Sequence, residues 1–288
     1  MNTLTASPWT ISTYLEEPSY VSKSADGAWL AHVSIPRARL TYFGPANLSQ
    51  NLLRVTPPPL PQHGPHAPSW GGHIVWMLSD ALPHWKWPPL REWEYTPAAQ
   101  IENYAGALSL IRPQVHPKFP ALGRSYHWEG NTLVCESFWT PTQSAHHLAI
   151  HTLHVPFNAQ IELSQTSLKG TFKELDGFSI TEHPVADRPG LTLDQTTAKI
   201  CPSSQSAKYA FPTQEIAAHI DNYRLSMQRL NASSNELDNP FTDLLTHVWI
   251  ASQDLESPFI EIEQASPYLT PGLDGYCRFG ISLQAESL

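Results

Sequence analysis

Proline interrupts this chain 27 times in 288 residues, while glycine occurs only 14 times. That pairing excludes most architectures. A proline lacks the amide hydrogen and clashes with the preceding helical turn, so a density nearly twice the roughly 5% average excludes helical bundles and coiled coils. Short strands joined by stiff loops remain. Runs of alternating or continuous apolar residues, each closed by Pro, Gly, Asn or Asp, recur at 38–43, 51–55, 73–78, 132–138, 147–155, 160–163, 223–230, 247–251, 259–264 and 277–283. The one helix candidate, residues 213–220, is short, and Pro212 before it suits a turn as well as a helix start. The expectation is an all-β chain, a large antiparallel β-sandwich with few short helices.

Hydrophobic residues make up 41% of the chain and charged residues 15%, against roughly 25% charged in ordinary soluble domains, so disorder is excluded and a sizeable core is expected. With 17 Lys and Arg against 26 Asp and Glu, the formal charge is -9. No basic run offsets it, which argues against nucleic acid and against an anionic membrane surface. The first twenty residues show no basic segment followed by an apolar one, and no apolar stretch reaches membrane-spanning length. Cys135, Cys201 and Cys277 are too widely spaced for a disulfide framework or a zinc knuckle. A cytoplasmic location fits these features. No linker or repeat divides residues 1–288, so one domain is expected, with the Pro-rich stretch 56–68 read as a loop over the sandwich rim.

Three constellations could carry chemistry. In residues 259–264 the strand period puts Glu261 and Glu263 on one face and Ile260 and Ile262 on the other. On an exposed sheet such a doublet is polar decoration; on a concave face the two carboxylates repel, and one becomes a general base. Residues 146–155 hold four histidines, with His147 and His151 on the face of Leu153, and His146 and His154 on that of Leu148 and Ile150. The His151 and His154 pair has metal-like spacing, but its members diverge in a strand and no local partner completes a site, so no metal is expected. A proton donor in a cleft and a hydrogen-bonded structural histidine both remain open. Half of the ten tryptophans (Trp70, Trp76, Trp85, Trp87 and Trp93) fall around Gly71-Gly72-His73 and the segment that follows. They could plug a core or line a pocket for the C–H faces of a sugar.

Taken in order, these segments resemble the galactose mutarotase-like superfamily of aldose 1-epimerases and hexose-phosphate epimerases. The resemblance spans residues 35–285 and rests on residues 40–48 and 54–56, on Gly71-Gly72-His73 with Trp76, on residues 126–133, on 149–155 with His151, and on 259–267 with Glu263 followed by 269–272. It implies a large antiparallel supersandwich and His/Glu acid–base catalysis on a sugar without a cofactor. His151 is then the acid to the ring oxygen and Glu263 the base on the anomeric hydroxyl, with His73, Trp76, Trp93 and Glu261 around the ligand. The superfamily's early arginine has two candidates, Arg54, which lacks the expected asparagine neighbour, and Arg124. Which glutamate is the base stays open, because a shift of register exchanges the two. Basic residues are scarce near these motifs, which favours a neutral small-molecule carbohydrate, and strand edges at the ends of such a sandwich allow a monomer or a homodimer. Two other classes fit the same residues: a non-catalytic carbohydrate-binding protein, and a lyase- or cyclase-type enzyme on the same sandwich.

Overall fold

The computed structural model describes residues 8–58, 70–80, 96–117, 119–142, 145–164, 173–176, 179–182, 190–193, 197–204, 207–230, 235–236, 245–251 and 258–288. Every regular element among them is a strand, and every pairing is antiparallel. The short helices expected beside the sheets do not occur among the described residues. The helix candidate at 213–220 forms a strand instead, Glu215–Ile220, because it is paired on both edges and its apolar side chains are buried on both faces. No helix among the described residues is long and apolar enough to cross a membrane.

Three sheets result. The first is a meander of β1 (Thr10–Tyr14), β2 (Glu17–Lys23), β3 (Trp29–Ser34) and β4 (Arg39–Pro45). The second has ten strands in the order β14 (Leu191–Leu193), β15 (Thr197–Ile200), β11 (Gln160–Ser164), β17 (Glu215–Ile220), β18 (Tyr223–Arg229), β23 (Cys277–Ser287), β9 (Thr132–Trp139), β8 (Leu122–Glu129), β7 (Ala107–Arg112) and β6 (Gln100–Tyr104). The third, which carries the candidate site, runs β13 (Ser179–Glu182), β12 (Lys173–Asp176), β16 (Ala207–Phe211), β20 (Thr246–Ala251), β21 (Phe259–Ala265), β10 (His147–Pro156), β5 (His73–Ser79). Two short strands, β22 (Leu269–Thr270) and β19 (Asn235–Glu236), extend it beside the start of β10.

The main hydrophobic core draws on all three sheets, with Trp29, Val33 and Phe43 from the first, Leu133, Ile216 and Ile281 from the second, and Leu153, Val248 and Ile262 from the third. Burial of aliphatic side chains, each contributing about 1.5–3 kcal/mol, therefore holds the inner face of the third sheet. Its outer face is buried too. β5, β10 and β21 are covered on both sides almost throughout, and a separate apolar cluster of Ile74, Trp76, Leu78, Leu148, Ile150, Leu245 and Ala265 lies on that outer side.

Residues 51–55 do not form the expected strand. The Asn51 side chain takes over the pairing, accepting from the Phe43 and Leu53 amides and donating to the Thr41 carbonyl, and only Val55 bridges to Gly71. Within this segment Arg54 is laced to β10 and to the residue that precedes β5. The Arg54 amide donates to His154 O (2.7 Å), the His154 amide to Gly72 O (3.1 Å) and the Gly72 amide to Arg54 O (2.9 Å). Gly71 and Gly72 sit at φ of +73° and +80°, in the left-handed region that suits glycine. A side chain on either would collide with a backbone carbonyl, that of Arg54 for Gly71 and that of Leu40 for Gly72. The glycine pair answers to this close crossing of backbones.

Candidate functional site

The register of β10 against β21 decides which residues can act together. His151 lies opposite Gln264, Thr152 opposite Glu263, and His154 opposite Glu261, and residues directly opposite share a face. Glu263 therefore shares a face with Thr152 and His154, while His151 projects from the other side of the sheet. The expected acid–base pair of His151 and Glu263 across one cleft is not what the fold provides. His73 also lies on the inner side, opposite Leu153.

Those two histidines belong to a buried chain of hydrogen bonds between sheets. The Ser137 hydroxyl donates to Phe279 O (3.1 Å), so its oxygen accepts from His151 Nε2 (3.0 Å). His151 Nδ1 then accepts from His73 Nε2 (3.0 Å), and His73 Nδ1 accepts from the Tyr126 hydroxyl (3.2 Å). This assignment of tautomers follows from the donors and acceptors available. Both rings are neutral. Burial, with the Arg124 guanidinium nearby, holds His151 down at about 3, and burial, His151, Arg124 and Arg39 hold His73 well below its ordinary value. Both nitrogens of each ring are thus engaged inside the protein, on the face away from Glu263.

The outer face of the same strands carries a different set. The His154 Nε2 to Glu261 Oε1 distance is 2.8 Å, and the His154 ring stacks on Phe259 with centroids 4.4 Å apart and planes 13° from parallel. Arg54 lies over the Phe259 ring at 5.1 Å, and Trp249 meets it edge-on at 5.5 Å. Beside them Glu263 Oε2 bonds Lys208 Nζ at 2.7 Å and His247 Nδ1 at 3.2 Å. The other oxygen, Glu263 Oε1, is buried and has no hydrogen-bond partner among the described residues, and the same holds for the hydroxyl of Thr152 in the register position opposite. Both residues are fully buried, and a polar atom left unpaired in such a place costs about 1–3 kcal/mol.

Electrostatics divides the two glutamates. Burial drives both carboxyls upward, but Lys208 and His247 overcome it at Glu263 and hold it at about 2. At Glu261 burial prevails over His154, and the carboxyl stays above its ordinary value. Two carboxyls on one face with affinities pushed apart is the arrangement by which proteins separate an acid from a base.

Of the residues expected from sequence, Glu261, Glu263 and Arg54 meet on this face, and Trp76 continues it as part of the apolar cluster beyond Thr152. His73, His151 and Arg124 are interior; Arg124 Nη1 donates to His73 O at 3.5 Å and the residue is 1% exposed. Trp93, Trp85, Trp87 and most of the Pro-rich stretch 56–68 lie outside the described residues. His247, Lys208, Trp249, Phe259 and Thr152 were not anticipated as site residues. For His247 and Trp249 the signal is present as alternation, because Val248 and Ile250 enter the core while His247 and Trp249 face outward. Lys208 has no such signal, for only the pairing of β16 with β20 brings it near Glu263.

No family model matches this chain, and no curated protein matches it by sequence. Solved structures do match. A candidate aldose 1-epimerase from Escherichia coli superposes with a TM-score of 0.60 at 13% identity over 91% of this chain and 97% of its own. A galactose mutarotase related enzyme from Lactobacillus acidophilus gives 0.54 at 11% identity, covering 97% of each chain. A galactose mutarotase-like protein from Lactobacillus casei gives 0.55 at 8% identity, covering 96% of this chain and all of that one. This chain has the galactose mutarotase-like fold.

Proposed function

We propose that the protein is a mutarotase-type carbohydrate epimerase whose acid–base pair is carried by the outer face of the third sheet, with Glu263 as base and the His154–Glu261 pair as proton donor. The observation that carries this reading is the unmatched Glu263 Oε1 beside the unmatched Thr152 hydroxyl. A sugar hydroxyl donates to the first and accepts from the second. Glu263 takes the proton of the anomeric hydroxyl, the bond from the anomeric carbon to the ring oxygen breaks, and the His154–Glu261 pair protonates that oxygen. Rotation of the open aldehyde and the reverse transfers reclose the ring as the other anomer. Glu263 and His154 are diagonal neighbours on one face of the β10–β21 pair, within reach of one another for long side chains. His154 stacked on Phe259, with Arg54 and Trp249 against the same ring, supplies a rigid aromatic wall for a neutral pyranose.

The test is anomer exchange of a panel of aldoses followed by NMR, measured per folded molecule. Glu263→Gln and His154→Gln should each lower the rate by about 100-fold or more, whereas His151→Asn should keep it wherever the variant folds. Loss in His151→Asn with activity retained in Glu263→Gln would reject the face assignment.

One observation favours a second reading, a carbohydrate-binding protein without turnover: Glu263 is ion-paired to Lys208 and bonded to His247, and a carboxylate so stabilised is a weak base. Sugar-induced chemical-shift changes with no exchange above the uncatalysed rate in any variant would decide for it.

A further inference from the structure

We propose that Lys208 is a positioning residue that keeps Glu263 ionised and oriented, so that the carboxylate presents one chosen oxygen to the ligand. This rests on the acid–base reading of the same face and goes beyond it by assigning the residue that divides the two glutamates into unlike roles. The geometry is specific. Glu263 is fully buried, and an isolated carboxylate there would take up a proton to escape the desolvation cost. Lys208 reaches Oε2 at 2.7 Å from β16, two strands away, with its side chain 14% exposed. His247, directly opposite Glu263 on β20, bonds the same oxygen at 3.2 Å. Both partners hold Oε2, and Oε1 is left for something else.

The charge on Lys208 has a second effect. It opposes protonation of Glu263 more than of Glu261, whose own nearest partner is His154. Without the ammonium the contrast between the two carboxyls would rest on His247 and His154 among the partners described, and the two would titrate as a more closely matched pair. Lys208 thereby settles which of the two is the base. The sequence shows it as one lysine between Ala207 and Tyr209, with nothing to set it apart.

The experiment reads Glu263 directly, by carboxyl-labelled NMR titration of the full chain, in wild type, Lys208→Met, Lys208→Gln and Lys208→Arg. Removing an opposite charge at this distance should raise the Glu263 titration midpoint by about one to three pH units. Met and Gln should both show the rise, the acidic limb of anomer exchange should move with it, and Arg should restore both. Gln keeps a hydrogen-bond donor, so it supplies the measurement if Met does not fold. A Glu263 midpoint unchanged in the neutral variants, or a rise that Arg does not reverse, overturns the assignment. If the midpoint rises and Arg reverses it while wild type exchanges no aldose, the Lys208 assignment stands and the epimerase reading fails.

Discussion

Single residues carry more of this fold than their size suggests. Gly72 has no side chain, yet its amide and carbonyl join Arg54 to His154, the two residues that press on Phe259 from the site face. Its φ of +80° already disfavours any other residue, and a methyl group would strike the Leu40 carbonyl. Gly72→Ala should therefore cost at least about 2 kcal/mol in urea unfolding and weaken sugar binding in the fraction that folds. The Glu261/Glu263 doublet was legible as two carboxylates sharing a face, because strand parity is a local property of the chain. Their division into acid and base was not, since it depends on Lys208 and His247, which lie 55 and 16 positions away and meet Glu263 only through pairing.

At the scale of elements, β10 shows where sequence reading ends. Its two faces were sorted correctly, with His151 beside Leu153 and His154 beside Ile150. What the strand could not reveal is which face meets the core, for both are buried from end to end and both carry histidines. The register with β21 resolves it, since Leu153 lies opposite Ile262 and His154 opposite Glu261. Residues 213–220 were misread for a related reason: Ala217 and Ala218 blur the alternation of a strand buried on both sides. The division of β21 into a core face and a site face can be tested. Ile262→Ala, on the core face and fully buried, should lose about 2–5 kcal/mol of stability while sparing anomer exchange in the folded fraction. Glu261→Gln, on the other face, should change stability less and impair exchange. Similar behaviour in both variants would mean that the two faces are not functionally separate.

For the molecule as a whole, the interior where the sheets meet holds buried polar side chains beside the aliphatic ones. The Tyr126, His73, His151 and Ser137 chain crosses it with every link satisfied. The pH dependence follows from the direction of the shifts. His151, held at about 3, and His73, held well below its ordinary value, bind protons in the native state only far below the unfolded histidine value near 6.5, so as the pH drops through that value the unfolded chain takes up protons that the folded chain refuses. Stability is full above pH 6.5 and falls as the pH is lowered, by roughly 1 kcal/mol between pH 6 and pH 5 from His151 alone, with His73 and the buried His32 acting in the same direction. Urea unfolding at stepped pH checks this, and His151→Gln should lessen the slope while His73 and His32 sustain the rest; a flat profile across that interval would refute the neutral assignment. The same chain also keeps time. Its two Nε2 protons are each held by a neighbour inside the protein and sealed from water, so they can be traded for deuterium only when the sheets part. Their NMR lifetimes would measure how often the interior opens, independently of any event at the site face.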